Sequence, residues 1–117
     1  MAKNSAFYPM GKTFLLNANA TNNVANVYAD SPSSQYLFVN HEVASTGQPV
    51  YVRISATSGS NAAVASNTTP QYGVPIRPAE SLVLSGPQCG NGTNVYITFI
   101  TSTGLSNVYV TPGEGML

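Results

Sequence analysis

The sequence predicts an all-β protein: an antiparallel β-sandwich, jelly-roll-like, of seven or eight short strands behind an extended N-terminal arm. Three observations predict it. Ten Gly and eight Pro interrupt the chain every few residues and leave no room for a helical period. Between the breaks lie runs rich in Val, Ile, Thr, Tyr and Phe, spaced roughly 8–15 residues apart, as in sandwiches and barrels. Three runs alternate cleanly: Val50, Val52 and Ile54 against Tyr51 and Arg53; Val95, Ile97 and Phe99 against Tyr96, Thr98 and Ile100; Val108 and Val110 against Tyr109. Period-two alternation gives a strand one buried face and one less buried face.

Taken in order, residues 1–11 form the arm. Phe7, Tyr8 and Met10 surround Pro9 there, and Pro9 biases Tyr8 towards extended backbone. Such an arm either lies in a groove of a partner or folds back over its own core and closes one end of the sandwich. Residues 12–117 form the sandwich domain. Strands are expected at 12–18, 24–29, 34–41, 50–57, 74–77, 81–85, 94–101 and 107–111. The loop 58–73 has room for a weak edge strand around Ala62–Ala65. Gly86–Gly90 reads as a turn, as does Asn91-Gly92. The stretch 94–111 reads as a hairpin looping through Ser102–Ser106. Pro78-Ala79-Glu80 and Pro112-Gly113-Glu114 each follow a strand residue with turn chemistry. The second leaves the stub PGEGML to complete its pairing on a neighbouring subunit.

A chain of 117 residues is one domain with a core of its own. Only 7% of its residues are charged and the net charge is zero, whereas about a quarter are charged in an ordinary soluble domain. Asn, Ser and Thr take the place of the missing charge. A neutral surface guards poorly against association, which suits a protein packed into an assembly. Lys3, Lys12, Arg53 and Arg77 are scattered, so neither nucleic acid nor an anionic membrane is an expected partner. No apolar run approaches the roughly 20 residues of a membrane-spanning helix. The start lacks a secretory apolar region and Cys89 stands alone, so synthesis in the cytoplasm is expected.

Catalytic chemistry finds little support. His41 is the sole histidine, and no second His or neighbouring Cys supplies a metal set. Cys89 lacks a base and an electropositive setting. No G-x-S-x-G elbow occurs, and Asp30, Glu42, Glu80 and Glu114 are dispersed. The expectation is a non-enzyme with no catalytic residue, cofactor or metal.

The positive signal is aromatic. Asn-Val-Tyr occurs at 26–28, 94–96 and 107–109, each time with Val set to face a core and Tyr to face away. If their strands share a sheet, Tyr28, Tyr51, Tyr96 and Tyr109 form a stripe on its outer side. With Phe7, Tyr8 and Met10 of the arm they make up the interface candidates. Such a stripe suits a protein interface or a glycan platform, or it is cross-strand packing and nothing more.

With PIRPAESL (75–82), VYITFITSTG (95–104) and VYVTPGEG (108–115) in view, the chain resembles the small β-rich virion structural proteins of tailed bacteriophages. The shared features are a short strand after Pro-x-Glu-Ser, a final Val-Tyr-Val strand and a Pro-Gly-Glu-Gly terminus, all in the C-terminal part of the chain. The resemblance implies a capsid decoration or cement protein that binds and stabilises the assembled shell. Its expected partners are the major capsid protein, other virion proteins and copies of itself, a trimer being favoured. It implies no active site. The alternatives are a receptor- or glycan-binding module of a tail or fibre, and a head–tail connector component.

Overall fold

A computed structural model of the chain describes residues 6–43, 46–59, 61–62 and 69–115. Nine strands and no helix occur among the described residues. They are β1 (Tyr8–Pro9), β2 (Phe14–Ala18), β3 (Asn23–Val27), β4 (Ser33–Asn40), β5 (Val50–Ser55), β6 (Val74–Ile76), β7 (Ser81–Cys89), β8 (Val95–Thr101) and β9 (Ser106–Glu114). Every pairing is antiparallel, and the pairings fall into two sheets. In the five-stranded sheet β9 lies between β4 and the pair β1 and β2, and β4 is followed by β7. The four-stranded sheet runs β3-β8-β5-β6.

The pairing is nested. β5 pairs with β6, β4 with β7, β3 with β8 and β2 with β9. The second half of the chain thus retraces the first, and consecutive pairs fall alternately in one sheet and the other. The two sheets face each other over one core, an antiparallel β-sandwich.

Alternation decides what fills that core. From the five-stranded sheet come Leu16, Ala18, Tyr36, Phe38, Val108 and Val110; from the other come Val27, Val50, Val52, Ile76, Val95, Ile97 and Phe99, all buried. The valines of the three Asn-Val-Tyr copies, Val27, Val95 and Val108, are each 0% exposed. Among the buried polar residues, Asn40 sits at one end. Its Nδ2 donates to the carbonyls of Gln48 at 3.1 Å and Ile76 at 3.0 Å, and its Oδ1 accepts from Glu42 N at 3.2 Å. One buried amide therefore ties β4 to β6 across the sandwich and holds the loop leading to β5, with no polar atom left unpaired.

Several local expectations are corrected. Residues 94–111 are not a hairpin: β8 and β9 belong to different sheets, so the chain crosses the sandwich between them. Gly86–Cys89 is the second half of β7, which bulges against β4 between Ser33 and Gln35. The Pro-small-Glu copies behave differently. Pro78-Ala79 is a turn, with Ala79 at φ 62°, whereas Pro112, Gly113 and Glu114 continue β9. The reason is tertiary. Pro112 and Gly113 pair with Tyr36 and Gln35 of β4 on one side, and Gly113 and Glu114 pair with Pro9 and Tyr8 of β1 on the other. The stub therefore completes its pairing within its own chain as far as Glu114; Met116 and Leu117 lie outside the described residues. Asn91-Gly92 does turn the chain, both residues having positive φ inside the Gly90–Thr93 bridge. Of the weak strand at 62–65, Ala62 is not extended into a sheet and the rest lies outside the described residues.

Candidate interaction surface

The described part of the arm is extended and belongs to the sheet. Tyr8 and Pro9 pair with β9, Met10 N donates to Pro112 O at 2.9 Å, and Met10 O accepts from Asp30 N at 2.9 Å. Phe7 lies against Gly113, where a Cβ would come within 2.5 Å of Phe7 Cζ. Glycine at 113 is thus required by a close approach. Residues 8–10 run along β9 at the edge of their own sheet. Phe7 and Met10 are half-buried, while Tyr8 is 67% exposed.

The tyrosines do not form one stripe. Tyr109 lies on the five-stranded sheet, whereas Tyr51 and Tyr96 lie on the four-stranded one and Tyr28 just beyond its β3. Tyr28 packs edge-on against Phe14, with centroids 5.1 Å apart. Tyr51 pairs across strands with Pro75 and Ile100, and Tyr96 with Asn26 and Ser55. Between those two tyrosines runs the row Arg53–Thr98–Val24. Thr98 occupies an outward position yet is only 2% exposed, because Asn61 and Ala62 lie across its row. Arg53 Nη1 donates to Asn61 O at 3.1 Å on one side, and Ala62 N donates to Asn22 Oδ1 at 3.0 Å on the other. Ala62 is fully buried by that crossing.

The outer face of the five-stranded sheet has no such cover among the described residues. Its rows follow from the registers: Leu15–Tyr109–Val39–Ser81, and beside it Thr111–Leu37–Val83. Leu15 is 48% and Tyr109 39% exposed, and Leu37, Val39 and Val83 are half-exposed. Thr13 and Thr111 share a hydroxyl hydrogen bond of 2.7 Å at the β2 edge, and the His41 ring stands 6.4 Å from that of Tyr109. No residue in these rows carries a charge. Of the seven interface candidates, Tyr109 alone lies in this apolar patch. Its companions Leu15, Leu37, Val39 and Val83 went unnoticed in the sequence, although a signal was present. The runs Tyr36-Leu37-Phe38-Val39 and Leu82-Val83-Leu84 are apolar at successive positions, the mark of strands covered on both faces.

Elsewhere the titratable groups serve structure. The carboxylates of Glu42, Glu80 and Glu114 accept from the backbone N–H of Asn107 at 3.1 Å, Arg77 at 2.8 Å and Ser34 at 3.0 Å. Cys89 is a buried free thiol beside Tyr36, whose hydroxyl donates to Pro87 O. Burial first, then the side-chain hydrogen bond to Cys89 and the electrostatic influence of Cys89 and Glu114, hold the Tyr36 phenol well above the usual tyrosine range. No trio of His, Cys, Asp or Glu among the described residues could hold a metal ion. Compared with known proteins, the chain matches no family model, no curated protein and no solved structure.

Proposed function

We propose that this chain is a non-enzymatic virion structural protein of a tailed phage: a jelly roll that decorates the capsid and cements the assembled shell. The jelly-roll reading is supported by the nested pairing with alternate pairs in alternate sheets, the arrangement of folds used in viral capsids and lectins. The observation that carries the docking role is the charge-free apolar face around Leu15, Leu37, Val39, Val83 and Tyr109, uncovered among the described residues. Contiguous apolar surface rimmed by polar residues marks interaction sites. A face of four strands about 4.8 Å apart and up to nine residues long covers very roughly 20 by 30 Å, approaching the roughly 800 Å² that each partner contributes to a standard interface. The partner proposed for it is the major capsid protein in its assembled lattice. Binding to the lattice and not to free subunits stabilises the lattice by mass action.

The test uses shells of the encoding phage assembled without this protein. Purified chain added back should fill them in many copies and stay bound through washes of rising salt, because no charge pair carries the contact. Leu15→Lys with Val39→Lys, both partly exposed positions, should keep the unfolding midpoint and lose at least about tenfold in affinity. Wild-type occupancy by that double variant, or release of the native protein at modest salt, would overturn the reading.

A further inference from the structure

Arg53 and Tyr72, neither of them an interface candidate, border a cleft whose chemistry is specific. β6 is three residues long and pairs only with Val50–Val52 of β5. Beyond Val52 that side of β5 has no strand beside it among the described residues, and a cleft of about 200 Å³ opens between β5 and β7. Val52, Ile54, Val74 and Leu84 supply its apolar lining, and Arg53, Tyr72 and Ser85 its polar groups.

The Arg53 guanidinium lies 4.0 Å from the centroid of the Tyr72 ring, a cation–π stack that holds its plane. Nη1 is engaged with Asn61 O. No carboxylate among the described residues pairs with Arg53, whereas Arg77 pairs with Glu80 at 3.6 Å. Arg53 is half-buried on β5, so its charge is partly desolvated and still unneutralised. A ligand answering these groups brings a planar anion for the guanidinium fork, which matches a carboxylate. It also brings a C–H-rich face for the exposed tyrosine ring and the apolar lining, and a hydroxyl for Ser85. The volume is below the roughly 300 Å³ at which drug-sized sites begin, so it admits one ring. We propose that this cleft binds the carboxylated ring of an acidic glycan, a uronic or sialic acid unit. The proposal draws on neither the docking face nor the Asn-Val-Tyr tyrosines, so either reading can fail alone.

Backbone amide NMR spectra of the full chain, titrated with four probes, test it: methyl β-glucuronide, a methyl sialoside, methyl β-glucoside and N-acetyl-aspartate amide. At least one acidic sugar should shift the amides of Arg53, Ile54, Tyr72 and Ser85 with millimolar affinity, and the neutral glucoside should bind about tenfold more weakly or less. Tyr72 is 68% exposed, so Tyr72→Ala keeps the fold and should weaken the acidic sugar at least about tenfold. Arg53→Gln should do the same while Arg53→Lys retains part of the binding. The proposal is overturned by an absence of shifts with both acidic sugars, by shifts confined to another region, or by equal affinity for the glucoside. Tighter binding of the aspartate amide would reassign the cleft to acidic peptides, and undiminished binding by Tyr72→Ala would remove the platform.

Discussion

The chain treats the two outer faces of its sandwich in opposite ways. On the four-stranded sheet, an outward Thr98 is 2% exposed because residues 61–62 strap across it from Arg53 to Asn22. On the five-stranded sheet, an outward Tyr109 is 39% exposed beside a 48% exposed Leu15. The difference follows from connection length. β5 and β6 are adjacent antiparallel strands that a two-residue turn could join, yet residues 56–73 lie between them. Residues 61–62 of that surplus lie on one face; none of the described connections is spent on the other. Leu15 and Tyr109 on the five-stranded sheet thus stay partly open, while on the four-stranded sheet Thr98 and Ala62 are buried and Val24, at the end of the row, remains 57% exposed.

The sharpest way to break this contrast lies within β4, whose successive residues face the core and the bare surface. Phe38→Ala should destabilise by about 3–5 kcal/mol in urea unfolding, whereas Leu37→Lys or Val39→Lys should change stability by about 1 kcal/mol or less. If the outward pair cost as much as Phe38, the face is covered and the contrast is gone. Next comes Asn40→Ala. It removes three hydrogen bonds at the end where β4 meets β6, taking this donor from the buried Ile76 carbonyl while Gln48 O keeps its bond from Ser106 Oγ, and should cost about 2–3 kcal/mol by the same measurement.

A smaller effect is predicted for Tyr36, which fills the core between the faces. Its folded pKa is raised, so the unfolded chain loses that proton first as pH increases. The stabilisation is complete below the unfolded pKa of about 10 and declines above it. Tyr36→Phe should cost about 1 kcal/mol at neutral pH through the lost bond to Pro87 O, and should flatten this alkaline decline. An unchanged alkaline slope in Tyr36→Phe would assign the decline to another group. The smallest expected effect concerns the strap. Asn22→Ala removes the acceptor of Ala62 N–H at an exposed side chain and should cost about 0.5 kcal/mol, so that amide should exchange with solvent about twofold faster. Unaltered exchange would show that the strap is held by other contacts.

Much of the strand pattern was legible because side-chain direction in a strand is a local, period-two property. Val50, Val52, Ile97 and Val108 could be assigned to the core without knowing their neighbours. The candidate surface was legible only in part. Tyr109 stood out as a large residue opposite a valine, but Leu37 and Val83 sit in runs apolar on both sides, where alternation gives no outward mark. Arg53 and Tyr72 are 19 positions apart by their numbers, and nothing local announces that a short β6 brings one over the other.

By itself, then, the sequence determined the all-β class, the Asn91-Gly92 turn, most strand positions and the inward valines of the three Asn-Val-Tyr copies, all consequences of short-range backbone geometry. Tertiary structure decided which sheet each strand joins, and so that Tyr109 is parted from Tyr51 and Tyr96. It also decided that Pro112-Gly113 extends a strand where Pro78-Ala79 turns. Strand pairing joins residues far apart in the chain, and a Pro-Gly step flanked on both sides by pairing strands stays extended where the same local chemistry, left unflanked, would turn.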